Sequence, residues 1–219
     1  MKPGADGAIS GAETKRAPPD GNTLLLATNS PLSVAPYLQK SIPYNPITDF
    51  TPIAHVGYYT FFMVTATSVP AKTAQEFIAY AKANPGKLNY ATGNTTGIVA
   101  SALFGTQAKL DMVRVAYKTE PPAVVDLLTG QVHTMFASYA TIAGNLQDKK
   151  LNALAVMMPT RSPVMPDVPT MAEIGFPDFP LTPWAALVGP AGIPKETVER
   201  INKAVIDVLA KPDIKKQID

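Results

Sequence analysis

KLNYATGNTTGIVASALFGTQAKL, residues Lys87 to Leu110, reads as strand, loop and helix in immediate succession. Leu88, Tyr90 and Ala91 form a short β-type run, and Gly93 to Gly97 interrupt it. Ile98, Val99, Ala102 and Leu103 then recur at helical spacing. A polar, glycine-bearing loop that enters a helix leaves backbone N–H groups without intrahelical partners. Those groups, together with the helix dipole, favour a bound carboxylate or phosphate. Thr92, Thr95 and Thr96 add hydroxyl donors at the same point. The pattern fits two readings. One is a small-anion site, and the other is an ordinary helix start in which threonine satisfies the first turn.

Working outward, the 219 residues suffice for one large or two small domains. Hydrophobic residues make up 46% and charged residues 16%, which argues for a folded chain of modest charge. A net charge of +2 points neither to nucleic acid nor to an anionic membrane surface. The absence of cysteine removes disulfides, thiolate nucleophiles and cysteine metal sites. No apolar run approaches the roughly 18 residues of a spanning helix, and Met1-Lys2-Pro3-Gly4 carries no secretory apolar segment. The 22 prolines are spread along the chain, adjacent only at Pro18-Pro19 and Pro121-Pro122, and punctuate turns.

Strands and helices alternate. Thr23–Ala27 is a continuous apolar run that predicts a strand buried on both faces. Phe50–Val56 and Phe61–Thr65 are further strands, and Lys72–Ala83 is a helix stopped by Asn84-Pro85-Gly86. Beyond the opening segment come strands at Met112–Ala116, Val132–Ala137 and Leu151–Met157. They are separated by helices at Ala123–Leu128 and Ile142–Gln147. A long helix covers Lys195–Ala210. Such alternation predicts an α/β fold with βαβ units and mainly parallel sheets. Three strands lead through loops into helices, at Thr92–Gly97, Tyr117–Pro122 and Ser138–Thr141, and Thr28–Ser33 is a fourth. Ligands of open α/β sheets bind beyond the carboxyl ends of strands, so these loops are expected to gather on one side. They offer hydroxyls, amides and Lys118, a set suited to holding an anion rather than to catalysis.

No catalytic constellation stands out. The two histidines, His55 and His133, lie in or beside apolar strands and read as packed or surface residues. There is no G-x-S-x-G elbow, no P-loop and no G-x-G-x-x-G fingerprint. Glu120 and Asp126 lie near the Tyr117 loop, and Asp126 reads as a solvated helix face. Two isolated histidines without cysteine make a transition-metal site unfavourable, and no cofactor is implied.

Six ordered segments resemble the periplasmic solute-binding proteins of the tripartite tricarboxylate transporter system, the Bug family. They are PGADGAISGAETKRAPPDGNTLLLAT, IPYNPITDFTPIAHV, SVPAKTAQEFIAYAKANPGKLNYATGNTTGIVASALF, VAYKTEPPAVVDLLTGQVHTMF, LNALAVMMPTRSPVMPDVPTMAEIGFPDF and PWAALVGPAGIPKETVERIN. The resemblance implies a periplasmic-binding-protein-like (type II) fold: two α/β domains with a ligand cleft between them. The first, incomplete domain would be residues 1–67 and 181–219, and the second 68–180. It implies periplasmic capture, without catalysis, of a small organic carboxylate, either a dicarboxylate or an aromatic acid. The partners would be the membrane permease subunits of a secondary transporter. The ligand-holding positions it implies are Ser30 and Pro31, then Thr92, Gly93, Asn94, Thr95, Thr96 and Gly97, then Tyr117, Lys118 and Thr119, then Ser138. Trp184 is either a cover over the cleft mouth or a core aromatic at the domain junction.

Departures from the family pattern carry expectations too. A first strand, ligand loop and helix usually precede the PGADGAISGAE region, and a further strand and helix follow the last residues here. The first domain is therefore expected to expose a sheet edge, with a dimer through that edge as one outcome. The family often has an aspartate just after the strand ending Met135-Phe136, where this sequence has Ala137-Ser138-Tyr139. Its loss is expected to remove a carboxylate acceptor there. Two other readings stay open: a hydrolase that recruits a loop Ser or Thr on this scaffold, and a remnant that binds nothing.

Overall fold

The computed structural model describes residues 7–179 and 181–218. The chain divides into two compact units, residues 1–58 with 183–219, and residues 59–182.

The larger unit is built on β3 (Phe61–Ala66), β4 (Leu88–Thr92), β5 (Met112–Ala116), β6 (Thr134–Ser138) and β7 (Leu151–Val156). Their order across the sheet is β5-β4-β6-β3-β7. β4 runs parallel to both β5 and β6. β3 runs antiparallel to both β6 and β7. All six residues of β3 are buried, as expected for a central strand covered on both faces.

Four helices of this unit follow from local signals. α3 (Ala74–Ala83) starts at a capping box, with Thr73 accepting from the Glu76 amide and the Glu76 side chain reaching back. α4 (Thr95–Ala108) presents Ala100, Phe104 and Ala108 to the core. The Phe104 ring lies 5.3 Å from Phe176, 6.0 Å from Phe136 and 6.4 Å from Phe77, so one aromatic side chain ties α4 to α3, to β6 and to the Phe176 turn. α5 (Glu120–Leu128) and α6 (Tyr139–Gln147) complete the set. A single continuous hydrophobic cluster runs through all of these elements.

The smaller unit is a three-stranded antiparallel sheet, in the order β1 (Leu25–Thr28), β8 (Trp184–Pro190), β2 (Phe50–Tyr58). It also holds α1 (Ala8–Arg16), a widened π-type turn at Ser30–Val34 that runs into the short α2 (Ala35–Leu38), and α7 (Lys195–Leu209) with α8 (Pro212–Ile218). Its core falls into two small clusters. One centres on Tyr44, Phe50 and Val188, and the other joins Ile53, Ala54 and Ile193 to α7.

Three expectations change. The sheets are mixed in one unit and antiparallel in the other, not mainly parallel. An apolar run such as Phe61–Ala66 looks the same in either direction, so burial does not encode strand polarity. The Thr23–Ala27 run is not buried on both faces. β1 is an edge strand, and Leu26 is 56% exposed. The Phe61–Ala66 strand, assigned above to the first domain, pairs with β6 and β7 of the larger unit.

Candidate ligand site

Because β4, β5 and β6 are parallel, their carboxyl ends share one edge of the larger unit. Each leads into a helix there. β4 enters α4 through the cap residue Asn94, β5 enters α5 through Thr119, and β6 enters α6 through Ser138. The side chain that binds these three starts together is Glu120, the first residue of α5, which is only 8% exposed.

Its carboxylate is saturated. Oε1 accepts from Asn94 Nδ2 at 2.7 Å and from the Ser138 amide at 3.1 Å. Oε2 accepts from Ser138 Oγ at 2.5 Å and from Thr141 Oγ1 at 2.7 Å. Four donors fill the four lone-pair positions of a carboxylate. The positive ends of three helix dipoles offset its charge in place of a cation. Asn94 is locked from both sides, since its Oδ1 accepts the Gly97 amide at 2.7 Å. The Ser138 hydroxyl turns to Glu120 and so does not cap α6. Gly93 permits this convergence. A Cβ there would stand 2.6 Å from both the Glu120 nitrogen and the Thr119 carbonyl carbon.

The other expected site residues sit as follows. Thr92 is buried, and its hydroxyl accepts from Arg114 Nε at 3.0 Å. Thr95, Thr96 and Gly97 form the first turn of α4, all buried, and the Thr95 hydroxyl has no hydrogen-bond partner. Lys118 and Thr119 are exposed, and Lys118 joins no ion pair among the described residues. Ser30, Pro31 and Trp184 belong to the smaller unit. Ser30 opens the π-type turn, the Pro31 carbonyl accepts from Tyr44 OH at 2.9 Å, and half-buried Trp184 opens β8 opposite Tyr58. Two cavities of the larger unit, about 280 and 230 Å³, lie elsewhere, one beside Tyr90 and Ser101 and the other beside Met157 and Phe176.

One reading of an acidic residue is corrected. Asp126 is not a solvated face: it accepts the Tyr117 hydroxyl at 2.5 Å and holds the 117–119 loop. At the end of β6 a carboxylate does stand, Glu120 reaching it from α5, but its oxygens are taken by donors of the protein itself. Sequence reading noted Glu120 and Thr141 in these loops but gave neither a place in the site. The available signal was an acidic residue at the first position of a helix that Pro121 and Pro122 leave short of N–H donors.

Burial, then the bond to Asp126, pushes the Tyr117 phenol up to about 12. A phenol raised on folding favours the protonated state, so its contribution is complete below the ordinary value of about 10 and disappears as pH rises through 12. In an alkaline titration followed by tyrosinate absorbance, one tyrosine is expected to ionise near pH 12. That late step should vanish in Tyr117→Phe. A wild-type titration without a late step would show that the phenol is not held.

The arrangement orients groups. The Ser138 hydroxyl contacts a carboxylate that also accepts from three other donors. His133 precedes β6 while Ser138 ends it. At about 3.3 Å per residue the imidazole stands roughly 16 Å away. Its pKa is lowered by burial. His55, in the smaller unit, stacks near Tyr58 with ring centroids 4.7 Å apart. Among the described residues, no group of three His, Cys, Asp or Glu side chains is placed to hold a metal. No helix among them is long and apolar enough to cross a membrane.

Comparison with known proteins agrees with this geometry. BugT of Bordetella pertussis is 35% identical over 212 residues, which cover 94% of this chain and 64% of BugT. The chain thus spans just under two thirds of that relative's length. A solved R. palustris protein with adipate is 27% identical, with a TM-score of 0.91, covering 99% of this chain and 73% of that one. MatC from Rhodopseudomonas palustris with bound malate is 29% identical, with a TM-score of 0.84, covering 97% and 73%. The profile described as the tripartite tricarboxylate transporter family receptor matches residues 1–219. A periplasmic-binding-protein-like α/β architecture, three helix starts gathered at one sheet edge and a family match along the whole chain converge on one assignment: the chain belongs to the tripartite tricarboxylate transporter receptor family.

Proposed function

We propose that this chain is a solute-binding receptor that captures a small organic carboxylate and delivers it to the permease subunits of a tripartite transporter. The observation that carries the reading is the start of α4, where a buried Thr95 hydroxyl has no partner among the described residues while Lys118, in no ion pair among them, stands on the next loop. Helix N-termini and adjacent cations are suited to carboxylates. Two family relatives of the same architecture hold adipate and malate, which supports the ligand class. BugD, described as a periplasmic binding protein, is a further relative at 29% identity, which supports a periplasmic location.

Thermal shift and calorimetry with adipate, malate, hexanoate and benzoate test the reading. Saturable binding without turnover is expected for at least one acid. Ligand at about 100 times its Kd should add about 2.7 kcal/mol of stability. Lys118→Ala should weaken binding about tenfold, or about 1.4 kcal/mol. If no acid shifts the transition, or if the bound acid is consumed, the receptor reading fails.

A further inference from the structure

We infer that Glu120 is a built-in anion that sets the charge of the ligand, favouring acids with a single carboxylate, or a carboxylate plus an ammonium, over dianions. The inference rests on the carboxylate-receptor reading and adds a selection rule to it.

Three helix N-termini meet at one sheet edge, the usual provision for a bound anion. The protein's own carboxylate occupies that convergence. Glu120 uses the Asn94 side chain and the Ser138 amide and hydroxyl, two residues that would otherwise face ligand. The Tyr139 amide is also committed, to the Thr60 carbonyl at 2.8 Å. In α5, Pro121 and Pro122 carry no N–H at all. Lys118, beside the α4 start, is the cation available to an external anion. Any group held there stands one residue's reach from a buried negative charge that is compensated by dipoles, with no ion pair among the described residues. Its lone pairs are filled, so it accepts no ligand hydrogen bond and acts through its field. One ligand carboxylate can be balanced by α4 and Lys118, whereas a second would face like charge at low dielectric.

Glu120→Gln separates charge from framework. With its amide oxygen at the Oε1 position it still accepts from Asn94 and Ser138 N. Its amide nitrogen donates to Ser138 Oγ or Thr141 Oγ1, because hydroxyls reverse roles by rotation. Calorimetry with hexanoate, 6-aminohexanoate and adipate compares acids of one length and different charge. The wild-type chain is expected to bind hexanoate or 6-aminohexanoate more tightly than adipate. Glu120→Gln is expected to raise adipate affinity relative to hexanoate about tenfold. Preference of the wild-type chain for adipate overturns the inference whatever the variant does. An unchanged adipate-to-hexanoate ratio in a folded Glu120→Gln protein overturns it too. Absence of carboxylate binding by wild type overturns the receptor reading, and the selection rule with it.

Discussion

Glu120→Ala is expected to destabilise the larger unit by about 3 kcal/mol and lower its melting temperature by about 10 °C. Truncation removes the acceptor for Asn94 Nδ2 and for the Ser138 amide. Each buried donor left without a partner costs about 1–3 kcal/mol. The two hydroxyls lose less, because Ser138 Oγ and Thr141 Oγ1 already lie 2.8 Å apart and bond to each other when the carboxylate is gone. Removing a buried charge recovers part of the loss, which keeps the total near the lower end of the sum. The transition of the larger unit, followed by denaturant titration, reads the effect directly. A loss under about 1 kcal/mol would mean that the carboxylate is not what joins the three helix starts.

Gly93→Ala should produce an effect of similar kind, about 2 kcal/mol, by overpacking. Gly93 does not have a positive φ, so backbone conformation is not the reason glycine stands there. The reason is approach. The added methyl would meet the Glu120 nitrogen, the Thr119 carbonyl carbon and the Glu120 Cα at 2.6, 2.6 and 2.7 Å, all of them backbone. No rotamer change relieves such a contact, so the 92–97 and 117–122 loops must separate, and carboxylate affinity should fall with stability. Gly105→Ala, inside the α4 helix that follows, is the control. A Cβ there meets nothing within 4 Å, and the exchange should stabilise by about 0.5–1 kcal/mol. If both variants behave alike, close approach at Gly93 is not the operative constraint.

The strand–loop–helix reading of Lys87 to Leu110 was legible because each part has a local cause. Asn94 rather than a threonine is the cap, and the helix begins inside the loop, so Thr95, Thr96 and Gly97 belong to its first turn. Helix ends with local signals, such as the Thr73–Glu76 capping box, were readable for the same reason. Strand direction was not, because polarity resides in connections rather than in side chains. Glu120 was not, because its partners are remote: Asn94 lies 26 residues away and Ser138 lies 18 away. A glutamate at a helix start looks solvated until the sheet brings those partners to it. Leu26 misled in the opposite sense. An apolar run implies burial, but in β1, an edge strand, Ala27 is buried while Leu26 is exposed.

The antiparallel placement of β3 has a consequence for how the chain is made. Phe61–Ala66 leaves the ribosome well before both of its neighbours, Thr134–Ser138 and Leu151–Val156. Until they are synthesised, a strand whose six residues are all buried in the finished fold has no native partner on either side. Pairing across such separations is slow, and unpaired apolar strands invite association between chains. During vectorial synthesis the middle of the sheet is therefore the stretch most in need of a holding chaperone, and the last to be sealed.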